Sequence, residues 1–159
     1  MEVELLKVKE RKSKFYVFNQ NNSGGSFESN DKLCHRVIIE ADNVDDAVRI
    51  AENMGIYFNG CDEGMDCPCC GDRWYPPYEE WKPAYGTFKK EEAESLAGKY
   101  GATTQISDRT YGKKEDRYDI IFTIEGYAQY LADYYGWTSP DVRIFYKDGS
   151  VEEFYINKK

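Results

Sequence analysis

The stretch from Tyr118 to Ile156, YDIIFTIEGYAQYLADYYGWTSPDVRIFYKDGSVEEFYI, runs through a strand, a helix and a hairpin in succession. Tyr118 to Phe122 reads as a strand, and Thr123 is placed to cap a helix whose inward face is Ile124, Tyr127, Ala128, Leu131 and Tyr135. Gly136 ends that helix. Val142 to Tyr146 and Val151 to Ile156 then flank Lys147-Asp148-Gly149-Ser150, and Asp-Gly between alternating strands is a strong hairpin signal. A hairpin pairs its strands antiparallel, so hairpins interspersed with helices favour an α+β domain.

The segments upstream repeat this mixture. Phe15 to Phe18 reads as a strand, the Asn- and Gly-rich run Asn19 to Ser26 as a loop, and Cys34 to Ala41 as a second strand, buried on both faces over Val37, Ile38 and Ile39. Asp42 is the expected cap of a helix to Met54, with Val44, Ala47, Val48, Ala51 and Met54 as its apolar stripe and Gly55 as its stop. Ile56 to Phe58 reads as a short strand. Trp74 to Phe88, with Trp74, Tyr75, Tyr78, Trp81, Tyr85 and Phe88 among three prolines, reads as irregular packed chain. Thr87 is the expected cap of a helix to Tyr100 with Ala93, Leu96, Ala97 and Tyr100 inward, and Gly101 to Lys114 reads as a mobile connection. The expectation is one α+β domain over residues 1–159: a mostly antiparallel sheet covered on one face, about three helices, and a metal-binding loop at about residues 60–75.

At 159 residues the chain can bury roughly 70% of the surface its unfolded form exposes. Its 14 Tyr, 8 Phe and 3 Trp supply large side chains for a core. Met1 to Glu10 lacks the continuous apolar run of a secretion signal, and no transmembrane run is present. With five cysteines, an odd count, and no export signal, the expected location is the cytoplasm, where clustered thiols read as metal ligands rather than disulfides.

The net charge is −8 and unevenly placed: Glu40 to Asp66 holds eight acids against Arg49 alone. Nucleic-acid binders present a basic footprint, so this balance argues against a phosphate-backbone partner on that face. An acidic surface suits a basic partner protein or simple solvation.

Four cysteines fall within ten residues, in GCDEGMDCPCCG (Gly60 to Gly71). A CPxCG turn lets two thiolates converge on one ion while successive amides bond to sulfur, and Cys67 and Cys70 fit it. Cys61 is the expected third thiolate, and the fourth ligand falls to the Cys34-His35 pair, which diverge on a strand, with His35 preferred. Cys69 is expected to point away as a packed thiol, exchange with Cys61 being the open alternative. Soft thiolates favour zinc, and a filled tetrahedral sphere makes the ion structural.

No residue set announces catalysis. His35 is the single histidine, and the adjacent Cys34 is badly placed to be a nucleophile paired with it. Asn22, Ser23, Gly24 and Gly25 form the best candidate ligand loop, offering backbone amides to an anion, although the lysine and spacing of a phosphate-binding P-loop are missing. Arg73, Trp74 and Tyr75 follow the knuckle directly, either as a contact surface or as a cover over the thiols.

The stretches FYVFNQNNSGGSF (Phe15 to Phe27), DCPCCGDRWY (Asp66 to Tyr75) and YAQYLADYYGWTSPDVRIFYKDG (Tyr127 to Gly149) resemble a family of small uncharacterised proteins encoded by tailed bacteriophages. The resemblance brings no activity. It implies a nonstructural phage protein made in the host bacterial cytoplasm, in a class where many small proteins inhibit host factors or host immunity. The functional expectation is a non-enzymatic, zinc-stapled accessory protein that binds a host protein or a small anionic signalling molecule. The alternatives are a nucleic-acid-associated zinc-knuckle protein and a nucleotide hydrolase, against which charge and histidine poverty weigh respectively.

Overall fold

In a computed structural model, residues 13–77, 80–107 and 116–157 are described. The segment before residue 13, Tyr78, and most of the connection toward Lys114 lie outside them. The chain is α+β, with three helices and eight strands among the described residues. Those strands sort into two sheets rather than one, of five and three strands. By contacts the chain forms two compact units: Met1–Trp81 with Ile144–Glu152, and Lys82–Arg143 with Glu153–Lys159.

The first unit is built on β1 (Lys14–Gln20) and β2 (Arg36–Ala41), antiparallel with Tyr16 opposite Ile39 and Phe18 opposite Val37. Val37, Ile38 and Ile39 are all buried, as the unbroken β-branched run implied. Helix α1 (Val44–Met54) packs on β2, and Ala47 and Ala51 meet Tyr16, Phe18, Leu33, Val37, Ile39 and Trp74 in one apolar cluster. The small alanines let the helix approach the sheet while Val44, Val48 and Met54 close its flanks. The cap is Asn43, whose side chain accepts from the Asp46 N–H at 2.8 Å, and not Asp42. Asp42 instead pairs with Lys147 at 2.5 Å. Ile56 to Phe58 forms no strand: Ile56 is buried in irregular chain after Gly55 closes the helix. The edge strand β3 (Trp74–Tyr75) pairs antiparallel with β1, Trp74 opposite Gln20.

In the second unit β6 (Tyr118–Ile121) is central, antiparallel to both β4 (Ala84–Phe88) and β5 (Thr103–Ile106). Two expectations fail here. Thr87 lies inside β4 and does not cap α2 (Lys90–Tyr100), which starts from the extended backbone of Lys89 without a side-chain cap. Part of the stretch read as a connection is β5. Thr123 does cap α3 (Ile124–Tyr135), accepting from Gly126 N–H at 3.0 Å. The buried face of α3 is Ile124, Ala128, Tyr130, Leu131 and Ala132; Tyr135, read as inward, is exposed because helical rotation puts Tyr130 and Leu131 on the core side.

Strands β7 (Val142–Phe145) and β8 (Val151–Phe154) form the hairpin around Asp148-Gly149, closed by Tyr146 N–H to Ser150 O at 2.9 Å. No described helix is long and apolar enough to cross a membrane.

Candidate metal and ligand-loop site

The two stretches singled out by sequence, Asn22 to Ser26 and Asp66 to Tyr75, are joined in the first unit. Asn21 N–H donates to Arg73 O at 2.6 Å, and the Asn21 amide donates to the carbonyls of Cys70 (2.7 Å) and Asp72 (3.3 Å). From the other side, the Arg73 guanidinium reaches Gln20 Oε1, Ser26 O and Ser23 O, each at 2.9 Å. Arg73 is therefore a staple and is only 15% exposed in its side chain. Gln20 extends the clamp, its amide donating to Glu28 O (3.0 Å) and Cys34 O (2.9 Å) while its Oε1 accepts from Glu28 N–H.

Asp66 anchors the cysteine loop. Its carboxylate accepts from Tyr57 OH at 2.7 Å and from Arg73 N–H at 2.9 Å, and it lies 4.0 Å from Arg73 Nε. The carboxylate rests on Gly60, where a Cβ would come within 1.7 Å of Asp66 Oδ2. A side chain there would displace the Asp66 carboxylate and the Tyr57 ring, so the close approach favours glycine.

The knuckle geometry follows its sequence. Cys70 and Gly71 N–H groups both donate to Cys67 O at 3.1 Å, and Gly71 takes φ +87, the left-handed conformation that Cβ-bearing residues avoid. Amides of Cys69 and Cys70, with the Cys70 thiol, hydrogen-bond the Cys67 sulfur and hold its thiol below the usual range. Cys61 behaves oppositely: desolvation, then the Asp72 carboxylate, push it up to about 11. Its thiol points to Cys67 O at 3.5 Å, and its N–H donates to Asp72 at 3.0 Å. Cys69 and Cys70 are exposed.

The other expected ligands lie differently. Cys34 is buried and donates to Arg36 O at 3.2 Å. His35 is buried, its ring 4.6 Å from the Phe27 ring and its Nδ1 3.1 Å from Arg36 Nη1. Among the described residues no three His, Cys, Asp or Glu side chains stand as a ready ligand group. The donors that fit a soft ion are the paired thiols of Cys67 and Cys70, with Cys61 one sulfur-to-carbonyl contact away.

Of the contact candidates, Asn22, Gly24 and Gly25 are exposed, and Ser23 is buried with its carbonyl turned to Arg73. Trp74 is 1% exposed, with an indole N–H that meets no acceptor among the described residues. Tyr75 is 48% exposed. Sequence reasoning missed Gln20, Asn21, Asp66 and Tyr57. Their signal was weak: polar residues beside a cysteine loop and a Gly-rich turn, whose partners stand up to 53 residues away.

No curated protein matches this chain, and no solved structure matches it. A family model described as a domain of unknown function, DUF7296, matches residues 13–139, which include β1 through α3. The chain belongs to that family.

Proposed function

We propose that this protein acts by occupancy: a non-enzymatic accessory protein whose cysteine-bearing unit binds and sequesters a target, either a host protein or a small anionic signalling molecule, in a bacterium infected by a tailed phage. The observation that carries the reading is the clamp of Asn21 and Arg73, which joins the Asn22 to Ser26 turn and the knuckle into one preorganised surface. Fixing a loop before binding removes an entropic penalty on association. Exposed Asn22, Gly24, Gly25 and Tyr75 supply polar and aromatic contact groups on these segments.

The same reading includes a structural zinc held by Cys61, Cys67 and Cys70 with one more donor, His35 being the sequence expectation. Bound there, zinc would close the 60–75 loop. The support is the Cys67 sulfur with its two amide donors and neighbouring thiol.

One experiment tests both. Tagged protein recovered from bacterial lysate and weighed by native mass spectrometry is expected to carry one zinc and a stoichiometric partner or small molecule. Recovery with neither removes the proposal; a partner recovered without zinc, or zinc retained by the Cys67→Ser, Cys70→Ser double variant, removes this zinc site from it.

A further inference from the structure

In the second unit, a cleft of about 430 Å³ is lined by Phe88, Glu92, Leu96 and the three tyrosines Tyr130, Tyr134 and Tyr135. The tyrosine rings are mutually inclined: Tyr130 and Tyr134 lie 5.1 Å apart at 41°, Tyr130 and Tyr135 6.1 Å apart at 74°. Tyr130 and Tyr135 are also held in place, while Tyr134 is half exposed at the cleft. Tyr130 is 5% exposed, and its hydroxyl shares hydrogen bonds with those of Tyr85 and Tyr135. Tyr100, edge-on to Tyr130 at 5.7 Å, donates to Asp133 Oδ2 at 2.7 Å. Burial first, and these hydrogen bonds second, raise the Tyr130 and Tyr100 hydroxyls above their ordinary value, so both rings stay neutral phenols at physiological pH.

Glu92 is the charged residue among those lining the cleft. An anionic ligand would face its carboxylate and the negative faces of the rings, and a purely apolar one would desolvate Glu92 without compensation. A cation satisfies both. The chain provides a precedent at the same ring: the Lys99 ammonium sits 5.3 Å from the Tyr134 centroid and 5.4 Å from that of Tyr100.

We propose that this cleft binds an organic cation of small-molecule size, its alkylated ammonium head against Tyr134 and Tyr135 and Glu92 as counter-charge. The volume falls in the range of small-molecule pockets. The site is separate from the cysteine-bearing unit and does not depend on the function proposed for it.

Choline, its uncharged carbon isostere 3,3-dimethylbutan-1-ol, and acetyl-arginine amide, titrated into the full chain and followed by amide NMR shifts, decide the matter. Choline is expected to saturate with shifts at Glu92, Tyr134 and Tyr135 and to bind about tenfold tighter than the isostere. Glu92→Gln should weaken choline at least about threefold and leave the isostere unchanged, whereas Lys99→Gln, removing a competing like charge, should tighten it. Both positions are exposed on α2, and circular dichroism checks that each variant folds. Equal affinity for choline and isostere, or no saturable shift, overturns the proposal. Tighter binding of acetyl-arginine amide overturns the small-molecule assignment in favour of a basic protein side chain.

Discussion

Arg73 ties three backbone and side-chain acceptors together through one side chain, which a lysine in its place could not do. Its planar fork reaches three acceptors, Gln20 Oε1, Ser23 O and Ser26 O, while its own N–H is held by Asp66. Lysine keeps the charge but not the fork. Arg73→Lys is therefore expected to lose about 2 kcal/mol of stability. Urea unfolding measures that loss, and amide exchange should rise in the 22–26 turn. A variant as stable as the parent would remove Arg73 from the clamp. The cysteine spacing of the site was legible because a metal knuckle needs its ligands at fixed local intervals. The clamp was not, since Gln20, Ser23 and Ser26 meet Arg73 across 53, 50 and 47 residues and such polar bonds leave no periodicity.

At the level of elements, helix α1 shows where pattern reading reaches its limit. Asp42 and Asn43 are both good capping types, and the apolar stripe at helical spacing locates the helix without choosing between them. Only the backbone decides: Asn43 is extended and its side chain reaches the Asp46 N–H. Asn43→Ala should cost about 1 kcal/mol, whereas Asp42→Ala loses an exposed pair with Lys147 and should cost less than about 1 kcal/mol. Thermal melts of the two variants rank them, and the reverse order would refute the cap. Strands with β-branched runs and helices stopped by glycine were legible for the same reason: β2 and α1 carry their burial in their spacing, and α3 its position though not its whole buried face. By contrast β3 is two residues long, and β5 has the sequence TTQI with little of it buried. Neither has enough alternation to announce a strand.

Across the whole molecule, charge and composition divide with the two units. By sequence the first unit holds 18 acidic against 10 basic residues and so carries the entire net charge of −8, while the second balances 11 against 11. Counterion release rewards a basic surface, and neither unit has a basic excess. The protein is expected to form no salt-sensitive complex with duplex DNA at about 50 mM salt, as read by fluorescence anisotropy. A saturable complex there would revive the nucleic-acid alternative. The first unit is also discontinuous in sequence: Ile144–Glu152 belongs to it although Lys82–Arg143 intervenes, and β7 is the neighbour of β2 in the sheet. During synthesis, β1, β2 and α1 leave the ribosome long before the strand that covers the edge of β2. A nascent chain paused after Trp81 therefore exposes an open β edge. Translation speed through the second unit sets how long that edge waits for its partner.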